Sequence, residues 1–181
     1  LDLYTIRSEI TASGRGIDQL RIAMVGDLRY GRTVHSLCKL LCRFQGVQVV
    51  LVSPDALRMP PEIVESLRST GHHVVESDQL EESISHVDIV YSTRIQEERF
   101  SSQEEADLYR GRFRLNQSIY TRHCEPNTVI MHPLPRDSRA NARELDDDLN
   151  DNPNLAIFRQ TDNGLLVRMA LFALTLDVVD Q

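Results

Sequence analysis

Three short segments hold residue types that suit anion chemistry. The first is Gly26-Asp-Leu-Arg-Tyr-Gly31-Arg32-Thr33-Val-His35-Ser36. The second is Ser92-Thr93-Arg94-Ile95-Gln96-Glu97-Glu98-Arg99, and the third is His132-Pro133-Leu134-Pro135-Arg136. Arginine presents a planar fork that grips a carboxylate through paired hydrogen bonds, each worth about 1.5–3 kcal/mol when one partner is charged. A single arginine is more often a surface ion pair of little energetic consequence. Arg32 and Arg94 facing one crevice would instead suit a small dianion, with Gln96 adding amide donors and an acceptor. Thr33 would sit near a helix N-terminus, where free N–H groups and the macrodipole favour negative charge. The prolines flanking Leu134 stiffen the backbone and can aim a carbonyl at a ligand amine. Leu134–Pro135 is a candidate cis bond. His132 has a plainer reading as a satisfied core histidine beside a strand-ending turn.

The elements around these segments decide whether they meet. Apolar runs at 21–26, 47–52, 73–75, 87–92 and 128–131 read as strands. Helical patterns lie between them: 33–44 with Val34, Leu37, Leu41 and Phe44 on one side, a start at Pro60-Pro61, and a short acidic helix at 78–85 with Asp78 as its N-cap. A polar stretch covers 97–114, a short helix 116–123, and a charged, loop-like stretch 136–154. This alternation predicts an α/β fold: three layers, α/β/α, around a doubly wound, mainly five-stranded parallel sheet of Rossmann-like topology. In such sheets ligands bind beyond the carboxyl ends of the strands, and all three segments follow strands. The expected organisation is a linker helix over 1–13, one domain over 14–164 and a final helix over 165–181.

Several function classes are disfavoured. The net charge of −7 argues against nucleic-acid binding, and no apolar run approaches the roughly 20 residues that span a bilayer. Cys38, Cys42 and Cys124 complete no metal pattern and read as buried free thiols of a reducing compartment; no cofactor or metal is expected. Gly26 to Thr33 nearly matches the phosphate loop G-x-x-x-x-G-K-[ST]. Arg32 stands where that loop needs lysine, Leu28, Arg29 and Tyr30 are bulky for a phosphate cradle, and no strand ends in an aspartate to hold magnesium. Nucleotide hydrolysis is therefore the weaker reading.

Taken together, VGDLRYGRTVHS, STRIQEERF and MHPLPR resemble the aspartate-domain motifs of the aspartate carbamoyltransferases. FRQTDNGLLVRMALFAL, from Phe158 to Leu174, resembles that family's closing segment, and LDLYTIRSEI its interdomain helix. The resemblance implies transfer of the carbamoyl group of carbamoyl phosphate to the amine of L-aspartate, an early step of pyrimidine synthesis, by a cytoplasmic homotrimer. It implies that Arg32 holds the α-carboxylate and Arg94 the β-carboxylate, supported by Gln96 and Thr33. The Leu134 carbonyl would meet the amine, with Pro135 after a cis bond and His132 and Arg136 in support. The family's carbamoyl phosphate domain would precede Leu1, and nothing here matches its motif. No complete catalytic set is therefore expected in this chain, which alone should be inactive. The stretch DSRANARELDDDLN departs from the family's pattern. A non-catalytic structural or regulatory module of the same fold is the alternative.

Overall fold

A computed structural model describes residues 1–11, 14–100, 102–139 and 141–178. Five strands, β1 (Arg21–Val25), β2 (Gln48–Val52), β3 (His73–Ser77), β4 (Ile89–Ser92) and β5 (Val129–Met131), form one sheet in the order β3-β2-β1-β4-β5. Every pairing is parallel, with Val25 opposite both Val52 and Ser92. The helices are α1 (Asp2–Thr11), α2 (Arg32–Leu41), α3 (Pro61–Ser69), α4 (Leu80–Ser83), α5 (Gln103–Asp107), α6 (Gln117–His123) and α7 (Ile157–Thr175). The expected α/β class and five-stranded parallel sheet are both present.

Strand alternation divides the core. Ile22, Met24, Val49, Leu51, Ile89, Tyr91 and Met131 point to one face, packed with Ile6 and Ile10 of α1, the Val34-Leu37-Leu41 stripe of α2 and the Ile63-Val64-Leu67 stripe of α3. Ala23, Val25, Val52, Val90 and Ile130 point to the other, against Ile84, Phe113, Tyr120, Leu149 and Ile157. Two buried faces explain why β1, β4 and β5 and most of β2 read as apolar runs, whereas edge strand β3 is largely exposed. Successive β-strands step outward from β1 to β3, then the chain returns to place β4 on the other side of β1. That reversal puts the topological switch between β1 and β4.

Three local expectations are revised. Asp78 does not cap α4: Gln79 is the N-cap and makes no side-chain cap bond, while Asp78 pairs with Arg112. With only four residues, α4 has little helix for a capping box to stabilise. The polar stretch 97–114 contains a 3-10 turn at Glu97–Arg99 and α5. The last helix begins at Ile157, not Leu165. Thr161, Asp162, Asn163 and Gly164 are weak helix formers, but Ile157, Gln160 and Gly164 bury against the domain and tertiary packing overrides propensity. The end of that expected helix, 179–181, and residues 12 and 13 of the first lie outside the described residues. Asn116 does cap α6, accepting the Ile119 N–H at 2.8 Å. Cys38 is buried, whereas Cys42 and Cys124 are half-buried; all three are free, and burial pushes the Cys38 and Cys124 thiols up to about 12.

At the opposite end of the strands, Asp88 clamps the chain before β1. It accepts from the Arg21 N–H at 2.8 Å, from Arg21 Nη2 at 2.7 Å and from Arg15 Nη1 at 2.6 Å. Burial pushes its carboxyl up, but the two arginines outweigh this and hold it at about 2. The native state thus binds fewer protons than the unfolded chain between about pH 4 and pH 2, so this contribution is complete above that window and lost as pH falls through it. Such a shift corresponds to about 2.5 kcal/mol. The arginines are 43% and 36% exposed, so screening reduces it. Asp88→Asn should cost about 1–2 kcal/mol in urea unfolding at pH 7. It should also flatten the fall in stability between pH 4 and pH 2; an unchanged acid limb would assign that fall elsewhere.

Candidate functional site

The switch between β1 and β4 is built on a backbone contact. Gly26 follows β1 with φ of +116°, and a Cβ there would lie 2.2 Å from the Thr93 carbonyl oxygen. Only glycine lets the loops after β1 and β4 approach this closely. The next residue, Asp27, is fully buried. One oxygen accepts the Tyr30 N–H at 2.9 Å and the other the Gln96 N–H at 3.2 Å. Burial drives its carboxyl upward while these N–H groups oppose the shift. Asp27 therefore ties the loop that leads to Arg32 to the loop that carries Arg94 and Gln96. Gly31 completes the turn, because a Cβ there would meet the Asp27 carbonyl at 2.6 Å. His35 in α2 contacts the Leu28 carbonyl through Nε2 at 2.8 Å.

Each residue singled out in the sequence has a definite place. Arg32 is the first residue of α2 and is exposed. With Thr33 it borders an open groove of about 430 Å³ shared with Leu1, Asp2 and Leu3 of the α1 end. Arg94 donates to both oxygens of Glu98, at 2.6 and 3.2 Å, and this raises the Arg94 pKa and lowers that of Glu98. The charges of Asp137 and Glu144, in the chain that follows β5, add to the rise in the Arg94 pKa. Leu134 has φ of +54°, and Leu134–Pro135 is cis. His132 is buried, and Arg136 is held by Asn150 through Nη1 at 2.9 Å. The three segments do share one rim of the sheet.

Sequence reasoning missed the side chains that join them. Glu97 accepts from Arg110, at 2.9 and 2.8 Å, and from Arg139, at 3.0 and 2.7 Å. This locks the loop after Gln96 onto the chain after Arg136. A second connection runs through Asp2 at the start of α1. Asp2 accepts from the Tyr91 hydroxyl at 2.8 Å and from Gln160 Nε2 at 3.0 Å. Gln160 Oε1 in turn accepts the His132 N–H at 3.1 Å. Burial and the Asp2 charge push the Tyr91 phenol well above its ordinary range, so it serves as a neutral donor. A buried tyrosine in a strand of apolar residues signals a partner for its hydroxyl, but no sequence spacing names that partner. Among the described residues no group of acids, histidines and cysteines forms a metal site.

Comparison with known proteins identifies this architecture. Residues 18–175 match the family model described as aspartate/ornithine carbamoyltransferase, Asp/Orn binding domain. The chain belongs to that family. Aspartate carbamoyltransferase catalytic subunits of Cellvibrio japonicus and Saccharophagus degradans are each 74% identical over all 181 residues, which cover 54% of each relative. The catalytic subunit of the M. jannaschii aspartate transcarbamoylase superposes with a TM-score of 0.81 at 39% identity, over 94% of this chain and 52% of that one. The Trypanosoma cruzi aspartate transcarbamoylase in complex with aspartate and phosphate gives 0.79 at 34% identity, over 94% and 50%. The chain thus spans about half the length of the relatives it matches.

Because the β1 and β4 loops depend on one close approach, Gly26→Ala should destabilise the transcarbamoylase domain by about 2 kcal/mol or more. Gly14→Ala is the control: Gly14 has φ of +74° but no atom within 4 Å of a built Cβ, so it should cost about 1 kcal/mol. Urea midpoints that rank the two variants equally would remove the close-approach argument.

Proposed function

We propose that this chain is the aspartate-binding part of an aspartate carbamoyltransferase. The observation that carries the reading is the delivery of Arg32 and Arg94 from neighbouring strand ends by loops that one buried carboxylate, Asp27, ties together. Arg32 binds the α-carboxylate of L-aspartate and Arg94 the β-carboxylate. Thr33 and Gln96 support the substrate, and the Leu134 carbonyl accepts from its amine. Pro135, His132 and Arg136 shape the turn. Arg94 already grips a side-chain carboxylate, that of Glu98. An exposed pair of this spacing is worth about 0.5 kcal/mol, so a substrate carboxylate can take its place.

In this reading the other half of the protein supplies carbamoyl phosphate. The neutral amine of aspartate attacks the carbamoyl carbon, a tetrahedral intermediate forms, and the C–O bond to phosphate breaks, the departing phosphate taking the proton that the amine nitrogen loses. The residues of this chain contribute orientation and charge rather than a nucleophile. The additional half would also cover α7, on which Leu165, Met169, Phe172 and Leu174 are all more than half exposed. An apolar face of that extent marks an interaction surface. The organisation proposed is a linker helix through residue 13, the aspartate domain, and a closing helix packed across both halves. The parent enzyme is placed in the cytoplasm as a homotrimer in de novo pyrimidine synthesis. Three free cysteines among the described residues suit a reducing compartment, and no described helix is long and apolar enough to cross a membrane.

The site also bears on specificity. A substrate whose side chain ends in a cation, such as ornithine, would be repelled by Arg94, whereas the β-carboxylate of aspartate is attracted. In the full-length enzyme, Arg94→Ala should raise the aspartate KM about a hundredfold while leaving the carbamoyl phosphate KM within about threefold. The purified chain alone should form no carbamoylaspartate. Equal loss of folded protein and of aspartate affinity in the variant, or turnover by the isolated chain, would refute the assignment.

A further inference from the structure

The loop after Arg136 carries a buried acid that has no part in the substrate contacts proposed for this site. Glu144 is 5% exposed, and its two oxygens accept the Asp137 N–H at 3.2 and 3.3 Å. Its Oε1 also lies 2.7 Å from Nε2 of His132, a residue only 1% exposed. The other ring nitrogen, Nδ1, accepts the Leu134 N–H at 2.9 Å. With Nδ1 acting as acceptor, the ring hydrogen resides on Nε2 and faces Glu144. The approach is short but bent away from a hydrogen-bond line, so the polar ring N–H and the carboxylate are in close contact without a formed hydrogen bond.

The consequence is a turn held at both ends. Pro133 and Pro135 carry no N–H, which leaves Leu134, Arg136 and Asp137 as the main-chain donors of residues 133–137. His132 takes the first and Glu144 the last. The two acceptors touch each other, and Gln160 anchors the His132 main chain from α7. In the chain, the Leu134 carbonyl lies between these two held N–H groups. Either acceptor alone would fix one end and leave the peptide plane free to tilt.

We propose that Glu144 is a positioning residue which, through His132, fixes the direction of the Leu134 carbonyl and so sets affinity for the amino-acid substrate. The inference rests on the proposed function, in which that carbonyl meets the substrate amine. It also gives the divergent stretch DSRANARELDDDLN a role, which is to return one carboxylate to the floor of the turn.

Steady-state kinetics of the full-length enzyme with aspartate and with carbamoyl phosphate provide the test. Glu144→Gln keeps the volume and one acceptor for Asp137 but removes the charge. It should raise the aspartate KM about tenfold with the carbamoyl phosphate KM changed less than about twofold. Combining it with His132→Asn should raise the aspartate KM no further than the worse single variant, because the two act as one unit. A purely structural role would lower the melting temperature and the yield of active sites but leave the aspartate KM unmoved, and that result overturns the proposal. Should Glu144→Gln not fold, Glu144→Asp keeps the charge, shortens the reach by one methylene and carries the same expectation. A wild-type enzyme that forms no carbamoylaspartate removes the functional reading itself. A wild type that saturates with aspartate beside an unchanged Glu144→Gln KM removes only the role of Glu144.

Discussion

A buried carboxylate held by main-chain N–H groups rather than by a cation is costly to place at the carboxyl rim of a parallel sheet, and Asp27 is one. Its two oxygens accept from loops that follow different strands. Neither loop alone could satisfy it: the residues after β1 provide the Tyr30 N–H, and the residues after β4 provide that of Gln96. Burial therefore makes the two loops mutually dependent, since separating them would leave one buried oxygen without its donor. The approach is possible because Gly26 removes the atom that would collide with Thr93. The positions of Arg32 at the head of α2 and of Arg94 beyond β4 follow from that single junction.

The arginines themselves are treated differently from Asp27. Both stay near solvent, and the carboxylate that Arg94 grips, that of Glu98, is itself exposed. Buried ion pairs are hard to separate, whereas an exposed pair exchanges its partner at little cost. The rigid part of the rim is therefore backbone held by buried groups, and the exchangeable part is side chain held by exposed ones. A second scaffold lies behind the first: Asp2 joins the Tyr91 hydroxyl of β4 to Gln160 of α7, and Gln160 reaches His132. Through it, helix α1 at the start of the chain contacts both the β4 wall and the β5 turn.

The strands and their order of appearance were legible because two buried faces leave runs of five or so apolar residues bounded by polar ones. The ends of elements were less so. The final helix was expected only from residue 165 because intrinsic preference is local, whereas the burial of Ile157 and Gln160 that extends α7 is not. Asp78 had the right type and spacing for a cap but found Arg112 instead. Periodicity reports which face is buried; it does not report which of two polar partners a surface acid will choose.

The candidate site divides along the same line. Arg32, Thr33, Arg94, Gln96 and the His132–Arg136 turn stood out because strand ends in a parallel sheet are few and charged forks at them are distinctive. The cis bond at Leu134–Pro135 was anticipated from two prolines around one residue. What the residues could not disclose is the set of pairs made across long stretches of chain. Glu97 with Arg139 spans 42 residues and Asp2 with Gln160 spans 158. Glu144 belongs to this class: in a stretch crowded with acids, its type sets it apart from none of them. Its place is marked only in the folded chain, by its contact with the buried His132 and by the Asp137 N–H that it accepts. Residues that touch a ligand advertise themselves by chemistry, whereas residues that aim them are found only once the chain has folded around them.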